Sequence, residues 1–241
     1  MSGTAGGLLG WAAALWTGAA ATAGGLPEAV LLIHGLGRTS RSLSMIGRRL
    51  EEAGFEAVPV DYPSRHLPVE ELSAALDPVV ERVGTNRPMH AVTHSMGGIL
   101  LRWYVEHRRP LRLGRVVMLA PPGGGSELAD ELARWSVVRR LAGPALAQMG
   151  VGPASVPGRL GPPPFELGVI AGDHSLNPVF SALLPGADDG KVPVARARVE
   201  GMKEFRVVPC SHTWIMFDDE VARMTVRFLR SGAFGDPRAG P

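Results

Sequence analysis

Short, uninterrupted runs of apolar residues alternate along this chain with stretches in which apolar residues recur every three or four positions. The run Ala29–Ile33 is apolar throughout, which is typical of a strand that is buried on both faces of a sheet. Residues 42–53 follow, with Leu43, Ile46 and Leu50 on one face of a predicted helix. The pattern therefore predicts a buried strand followed by an amphipathic helix.

The same alternation continues along the chain and predicts the fold class. Further strands are predicted at residues 55–60, 89–93, 115–120, 167–171 and 205–208, and further helices at residues 69–83, 97–107, 126–141 and 218–230. Buried strands that alternate with amphipathic helices form a parallel sheet that is covered on both faces. We therefore expect an α/β fold with a mostly parallel, doubly wound sheet of about six strands and helices on both faces.

Charge and composition divide the chain into three parts. Residues 1–26 carry no charge and form an apolar N-terminal leader, which is interpreted as a secretion signal, a membrane anchor or an extra helix packed on the domain. The first two interpretations predict an exported or membrane-associated protein, and the third predicts a cytoplasmic one. Residues 27–231 form the predicted domain, with a Pro/Gly-rich, cap-like insertion at 121–164, and residues 232–241 form a flexible tail.

Composition narrows the possible functions. The 241 residues are 45% hydrophobic and 20% charged, which fits a globular domain with a large core. The net charge is only +2, and no run of basic residues is longer than a pair, so nucleic acid is not an expected partner. Cys210 is the single cysteine, which excludes a disulfide within the chain and a cysteine-based zinc site.

The glycines after the first predicted strand allow a nucleotide-binding interpretation. Gly35 and Gly37 stand where a dinucleotide-binding loop begins, and Asp61 follows the next strand, where such folds hold a ribose hydroxyl. Ser40 takes the place of the third glycine, which weakens the match. A non-catalytic or nucleotide-binding α/β domain is kept as an alternative.

A second motif surrounds Ser95, between the predicted strand at 89–93 and the predicted helix at 97–107. The run THSMGG at 93–98 places this serine on a sharp turn from strand to helix, where it is either a helix N-cap or a nucleophile. The segment resembles the nucleophile elbow G-x-S-x-G of the α/β-hydrolase family. Thr93 stands in the place of the first glycine, where a variant found in small bacterial lipases has alanine.

Two further segments extend the resemblance to the α/β-hydrolase family. The run HGLG at 34–37 is similar to the family's oxyanion loop, which implies that the backbone N–H groups of Leu36 and Met96 bind the oxyanion. His212 follows the last predicted strand, where the family has its general base. The serine and this histidine occur in the family's chain order.

Three aspartates are candidates for the acid that completes the set. Asp189 begins the run DGKV, which resembles the family's Asp-Gly-x-Val turn, and we favour it for that reason. Asp173 closely follows the predicted strand at 167–171, but its segment also fits a turn and helix cap. Asp188 is the third candidate, and we expect its side chain to point into solvent.

The resemblance implies a carboxylic ester hydrolase of the lipase or esterase type, with Ser95 as nucleophile, His212 as base and Asp189 as acid. No metal or organic cofactor is needed for this chemistry. A small-molecule or lipid ester with a medium or short acyl chain is the expected substrate, and a thioesterase or an acyltransferase is the alternative. The predicted helix at 126–141 has apolar residues on more than one face, so it either covers the acyl chain or packs on the core.

Overall fold

A computed structural model describes residues 26–84, 87–108, 111 and 113–235. Almost all of the predicted leader at 1–26 and most of the predicted tail at 232–241 lie outside this range. Among the described residues, no helix is both long and apolar enough to cross a membrane.

Six parallel strands form the central sheet. They are β1 (Ala29–Ile33), β2 (Glu56–Val60), β3 (Met89–His94), β4 (Arg115–Leu119), β5 (Glu166–Gly172) and β6 (Glu204–Val208). Their order across the sheet is β2-β1-β3-β4-β5-β6, and every neighbouring pair is parallel. The predicted doubly wound parallel sheet of about six strands is confirmed.

The helices connect these strands and form the insertion. They are α1 (Ser44–Glu52), α2 (Val69–Leu72), α3 (Asp77–Val83), α4 (Met96–Trp103), α5 (Glu127–Arg134), α6 (Ser136–Ala142), α7 (Pro144–Ala147), α8 (Val156–Arg159), α9 (Pro178–Ser181) and α10 (Asp219–Ser231). Short 3₁₀ segments lie at Ser40–Leu43, Ser73–Leu76 and Ile215–Phe217, and a π-helical turn at Tyr104–Arg108 extends α4.

The core has two layers because successive residues of β1 point to opposite faces of the sheet. Leu31 and Ile33 pack in a cluster with apolar residues of α2, α3 and α4. Val30 and Leu32 pack in a second cluster with residues of α1 and α10. The uninterrupted apolar run in β1 is therefore explained by burial on both faces.

Two helices that the sequence predicts as continuous are interrupted. The predicted helix at 69–83 becomes α2, a 3₁₀ turn and α3, because Pro78 near the start of α3 has no N–H to donate to the preceding turn. The predicted helix at 126–141 breaks at Trp135, whose backbone is extended with φ −87° and ψ 110°. This break redirects α6 relative to α5.

Side-chain hydrogen bonds fix the insertion to the rest of the domain. The Ser126 hydroxyl donates to the Lys191 carbonyl at 2.7 Å, and the Gln148 side-chain oxygen accepts from the Val69 N–H at 2.7 Å. Arg102, which lies on α4, donates to the carbonyls of residues 160 and 161. The insertion is therefore bonded both to the loop after β5 and to the helices that follow β2 and β3.

Candidate active site

Ser95 lies on a strained turn between β3 and α4. Its backbone has φ 54° and ψ −127°, a region that costs free energy for residues other than glycine. The turn is tight because β1 passes behind it: a Cβ at Gly97 would lie 2.5 Å from the Ile33 carbonyl oxygen and 2.6 Å from that of His34. Although Ser95 precedes the first residue of α4, its side chain makes no capping hydrogen bond. The hydroxyl is therefore not used as an N-cap.

Thr93 fits into this turn because Gly98 leaves room for its side chain. Thr93 is fully buried, and a Cβ at residue 98 would lie only 3.1 Å from the Thr93 Oγ1. A side chain at residue 98 would collide with that of Thr93 and push α4 away from β3. Thr93, which is larger than the usual glycine at the first position of the motif, therefore fits because residue 98 is glycine.

The structure brings Ser95, His212 and Asp189 into one chain of hydrogen bonds. The distance from His212 Nε2 to Ser95 Oγ is 2.9 Å, and the distance from His212 Nδ1 to Asp189 Oδ2 is 2.8 Å. Since a carboxylate only accepts hydrogen bonds, the proton on the ring is at Nδ1, and Nε2 accepts from the serine hydroxyl. The serine O–H thus points at the lone pair of a base.

The backbone holds Asp189 in place. Its Oδ1 accepts from the N–H groups of Lys191 at 2.9 Å and Val192 at 2.8 Å, which leaves Oδ2 for His212. The positive φ of 93° at Gly190 allows the turn that makes this possible. The side chain of Asp189 is only 2% exposed, so its charge is stabilised by three hydrogen bonds rather than by water.

The other two candidate aspartates lie elsewhere. The expectation that Asp188 points into solvent is wrong: it is 7% exposed, and its Oδ1 accepts from the Ser181 hydroxyl at 2.8 Å and the Gly190 N–H at 2.7 Å. It is buried because the turn needs an acceptor for these two donors. Asp173 is exposed, and Asn177, not Asp173, caps the short helix α9.

The loop after β1 brings the Leu36 N–H to the same edge of the sheet. β1 and β3 are neighbours, so the loop that follows β1 lies beside Ser95. The Gly37 N–H donates to the Ser64 hydroxyl at 3.0 Å, and the Tyr62 hydroxyl donates to the His34 carbonyl. In the described part of the chain, no acceptor is bound to the Leu36 N–H, and Met96 begins α4, where N–H groups lack intrahelical acceptors.

Asp61, which directly follows β2, binds the end of the loop after β1. Its two carboxylate oxygens accept from the backbone N–H and the hydroxyl of Ser40, each at 2.7 Å. The backbone hydrogen bond from Ser40 is the main cause that lowers the pKa of Asp61. The acidic residue of the nucleotide-binding interpretation is thus engaged by the loop that follows β1.

Comparison with solved structures places these features in a known fold. The chain is similar to the mature lipase BlEst2 of Bacillus licheniformis, with 20% identity, a TM-score of 0.66, and coverage of 79% of this chain and 87% of that one. It is similar to the phospholipase PlaB of Legionella pneumophila, with 16% identity, a TM-score of 0.66, and coverage of 86% of this chain but only 61% of PlaB. The metagenomic carboxyl esterase MGS0156 gives 20% identity, a TM-score of 0.63, and coverage of 78% and 65%.

This chain has the α/β-hydrolase fold. No protein-family model matches the sequence, and no curated protein sequence is significantly similar to it. At 20% identity or less, the likeness to the three solved structures establishes the fold alone. The resemblance to α/β-hydrolases of the bacterial lipase and esterase type, stated from the sequence motifs, is confirmed at this level.

The His94 ring packs beside the His212 ring in this fold, with 4.9 Å between the ring centroids. It is buried, and the distance from its Nε2 to the His212 carbonyl oxygen is 2.9 Å. Because a carbonyl only accepts, Nε2 carries the ring proton, and Nδ1 has no hydrogen-bond partner among the described residues. Burial is the largest cause that lowers the pKa of His94 well below its usual value, and the neighbouring His212 lowers it further. His94 is therefore a neutral donor that holds the His212 backbone.

This burial predicts a loss of stability in acid. The unfolded chain binds a proton at His94 below its ordinary pKa of 6.5, whereas the folded protein does not, so the free energy of unfolding falls as the pH drops below this value. His94→Gln keeps an N–H donor but does not titrate. We expect its free energy of unfolding to depend less steeply on pH than that of the wild type, by up to about 1.4 kcal/mol per pH unit below pH 6.5.

Urea denaturation at several pH values measures how the free energy of unfolding depends on pH in the wild type and in His94→Gln. Burial also lowers the pKa values of His34 and His90, chiefly through desolvation. These two histidines add the same pH dependence to the free energy of unfolding of the wild type and of the variant. Parallel pH dependence in the two proteins would contradict the assignment of a neutral His94.

An apolar cavity of about 260 Å³ opens beside Ser95. Val192, Phe180 and His212 are among the residues that line it, and the insertion supplies a wall of apolar side chains. The apolar residues of that wall come from α5, α6, α7 and the turn after α7, namely Leu128, Ala129, Leu132, Val138, Ala142, Leu146 and Met149. The break at Trp135 explains why Val138 faces the cavity while Trp135, Val137 and Leu141 are exposed.

Sequence reasoning missed several residues around the site. It assigned no role to His94, Ser64 or Tyr62, because hydrogen bonds between distant loops leave no periodic signal. It also did not single out Arg38 and Lys191, which both line the cavity. Among the described residues, no group of three or more His, Cys, Asp and Glu side chains is placed to hold a metal ion.

Proposed function

We propose that this protein is a serine hydrolase that cleaves carboxylic esters through an acyl-enzyme. The observation that carries the proposal is the hydrogen-bonded series from Ser95 through His212 to Asp189 at the mouth of an apolar cavity. A strained serine without a capping role, a base with a fixed tautomer and a buried carboxylate together fit nucleophilic catalysis. The lipases and esterases with the same fold support the assignment to ester substrates.

The acylation step follows from these positions. The Ser95 oxygen attacks the ester carbonyl while its proton passes to His212 Nε2, and the C=O π electrons move to the oxygen. The tetrahedral intermediate then collapses: the bond to the leaving alcohol breaks, and His212 gives its proton to that alcohol oxygen. Asp189 keeps Nδ1 protonated and stabilises the imidazolium that forms between these two events.

The deacylation step repeats this sequence with water. His212 removes a proton from the water molecule, whose oxygen attacks the acyl carbonyl, and it returns that proton to the Ser95 oxygen as the acid leaves. In both steps the negative oxygen is stabilised by the N–H groups of Leu36 and Met96. The hydrogen bond from Gly37 to Ser64 supports this role, since it restrains the residue next to Leu36.

The cavity favours medium or short acyl chains. Its volume of about 260 Å³ lies just below the lower end of the usual range for ligand sites, roughly 300–1,000 Å³. Apolar side chains of the insertion line it, so an acyl chain would displace water from apolar surface. A thioesterase or an acyltransferase would use the same residues, and these activities remain the second candidates.

A chain-length series of aryl esters and matched acyl thioesters tests this substrate class. We expect turnover of the oxygen esters, with kcat/KM highest for acyl chains of about four to ten carbons, because a longer chain exceeds the cavity of about 260 Å³. An added alcohol acceptor should not compete with water. Rapid cleavage of thioesters with negligible turnover of every oxygen ester would replace the esterase assignment with a thioesterase.

A further inference from the structure

Two basic side chains line the otherwise apolar cavity beside Ser95. They are Arg38, from the loop after β1, and Lys191, from the turn that contains Asp189. Among the described residues that line the cavity, and apart from histidines, they are the only ones with acidic or basic side chains. Within the part of the chain that the structure describes, neither forms an ion pair with a carboxylate.

The carboxylate of Asp189, whose charge acts on Lys191, is already engaged in hydrogen bonds. Asp189 uses Oδ1 for two backbone N–H groups and Oδ2 for His212, so its oxygens are not directed at the Lys191 ammonium. Desolvation by the surrounding protein, followed by the nearby charge of Arg38, lowers the pKa of Lys191. Two like charges that repel each other at the edge of a cavity are stabilised by an anion that binds both.

Their position relative to His212 identifies which part of the substrate they face. The Arg38 guanidinium donates to the Thr213 hydroxyl at 3.3 Å, and Thr213 directly follows the base that protonates the leaving alcohol. Lys191 also lines a second recess of about 200 Å³, which lies beside His212, Thr213 and Trp214. The insertion, by contrast, lines the apolar side of the main cavity, where an acyl chain fits.

We propose that Arg38 and Lys191 form a subsite for a phosphate or carboxylate group in the alcohol part of the ester. The inference rests on the proposed ester hydrolase activity and adds the class of substrate. The acyl chain lies against the insertion, the ester carbonyl lies at Ser95, and the anionic alcohol part lies between the two cations. Charge-assisted hydrogen bonds from both side chains then fix the leaving group for protonation by His212.

Esters that share one acyl chain and have neutral or anionic alcohol parts test this subsite. The substrates are 1-hexanoylglycerol, 1-hexanoylglycerol 3-phosphate and hexanoyl lactate, each used below its micelle concentration. At low ionic strength we expect kcat/KM to be about ten- to a hundredfold higher for the two anionic esters than for the neutral one. This preference should decrease with added salt. Monohexyl succinate, which has its carboxylate on the acyl side, should gain no such advantage.

Matched variants separate the subsite from the general charge of the protein. Arg38→Met and Lys191→Met should each lower the ratio of anionic to neutral kcat/KM by about tenfold. Arg41→Met removes an equal charge from the 3₁₀ turn that follows the same loop, and Arg41 does not line the cavity. This control should keep the wild-type ratio.

The outcomes distinguish the subsite from the hydrolase activity. Equal turnover of neutral and anionic esters, or an equal loss of preference in Arg41→Met, would overturn the subsite and leave the esterase proposal intact. If no ester is hydrolysed, isothermal titration of Ser95→Ala with 1-hexanoylglycerol 3-phosphate and 1-hexanoylglycerol decides the question. If the phosphate ester binds more tightly than the neutral ester, and Arg38→Met reduces this difference, the subsite is supported without the activity. If the two esters bind equally and neither is hydrolysed, both the subsite and the esterase proposal are overturned.

Discussion

Ser95→Ala should lower kcat for an activated aryl ester by about 10⁵- to 10⁶-fold and leave the protein folded. The serine oxygen is the proposed nucleophile, and removal of such a group costs nearly all of the catalysis that the linked residues provide together. The fold should tolerate the change because the hydroxyl caps no helix. Alanine also has the same Cβ as serine and adds no new contact in the strained turn.

A second serine provides the matched control for this prediction. Ser211 is buried directly before His212, and its hydroxyl has no hydrogen-bond partner among the described residues. Ser211→Ala should therefore keep turnover within a few-fold of the wild type. Circular dichroism and urea denaturation check that both variants are folded. A folded Ser95→Ala protein that still turns over the ester would contradict the assignment of the nucleophile.

Asp189→Asn should lower kcat by about 10⁴-fold. The amide oxygen can still accept from the N–H groups of Lys191 and Val192, so the turn keeps its shape. The amide nitrogen, however, would then face His212 Nδ1 and donate to it. The ring would carry its proton at Nε2, where it could no longer accept the proton from Ser95.

The other two aspartates serve as controls, with kcat and the free energy of unfolding measured for all three variants. Asp173→Asn changes an exposed side chain and should be close to the wild type in both quantities. Asp188→Asn keeps an acceptor for Ser181 and Gly190, so we expect a mild loss of stability, about 1 kcal/mol, and nearly normal turnover. Near-normal turnover of Asp189→Asn with a collapse in Asp173→Asn would transfer the role to Asp173.

The order of strands and helices is predictable from the sequence because burial on both faces of the sheet leaves a strong local signal. The run Ala29–Ile33 is a strand with the predicted bounds, and the helix at 218–230 appears as α10 with Asp218 as its cap. The positions of Ser95, Leu36 and His212 at one edge of the sheet follow from the rule that loops after parallel strands share that edge. Motifs at element ends therefore carry much of the information about the site.

Features that depend on distant contacts were not predictable. The run DGKV favours Asp189 as the partner of His212, but it gives no sign that the neighbouring Asp188 is buried and accepts from Ser181. The break at Trp135 lies within a sequence that continues the helical period. The proximity of Arg38 and Lys191, which are 153 positions apart in the sequence, arises because two loops meet at the cavity. For Asp188 and for the two basic residues, the deciding contact joins segments that have no common local pattern.

Covalent labelling tests the central proposal most directly, because it reports the reactive atom itself. The folded wild-type protein is incubated with an alkyl fluorophosphonate, and intact mass and peptide mapping locate the adduct. We expect one adduct per chain, on Ser95, since the base at 2.9 Å from its hydroxyl activates this oxygen, and no adduct in Ser95→Ala. A folded wild-type protein that takes up no label, or that takes it up at another residue, would contradict the assignment of Ser95 as the nucleophile.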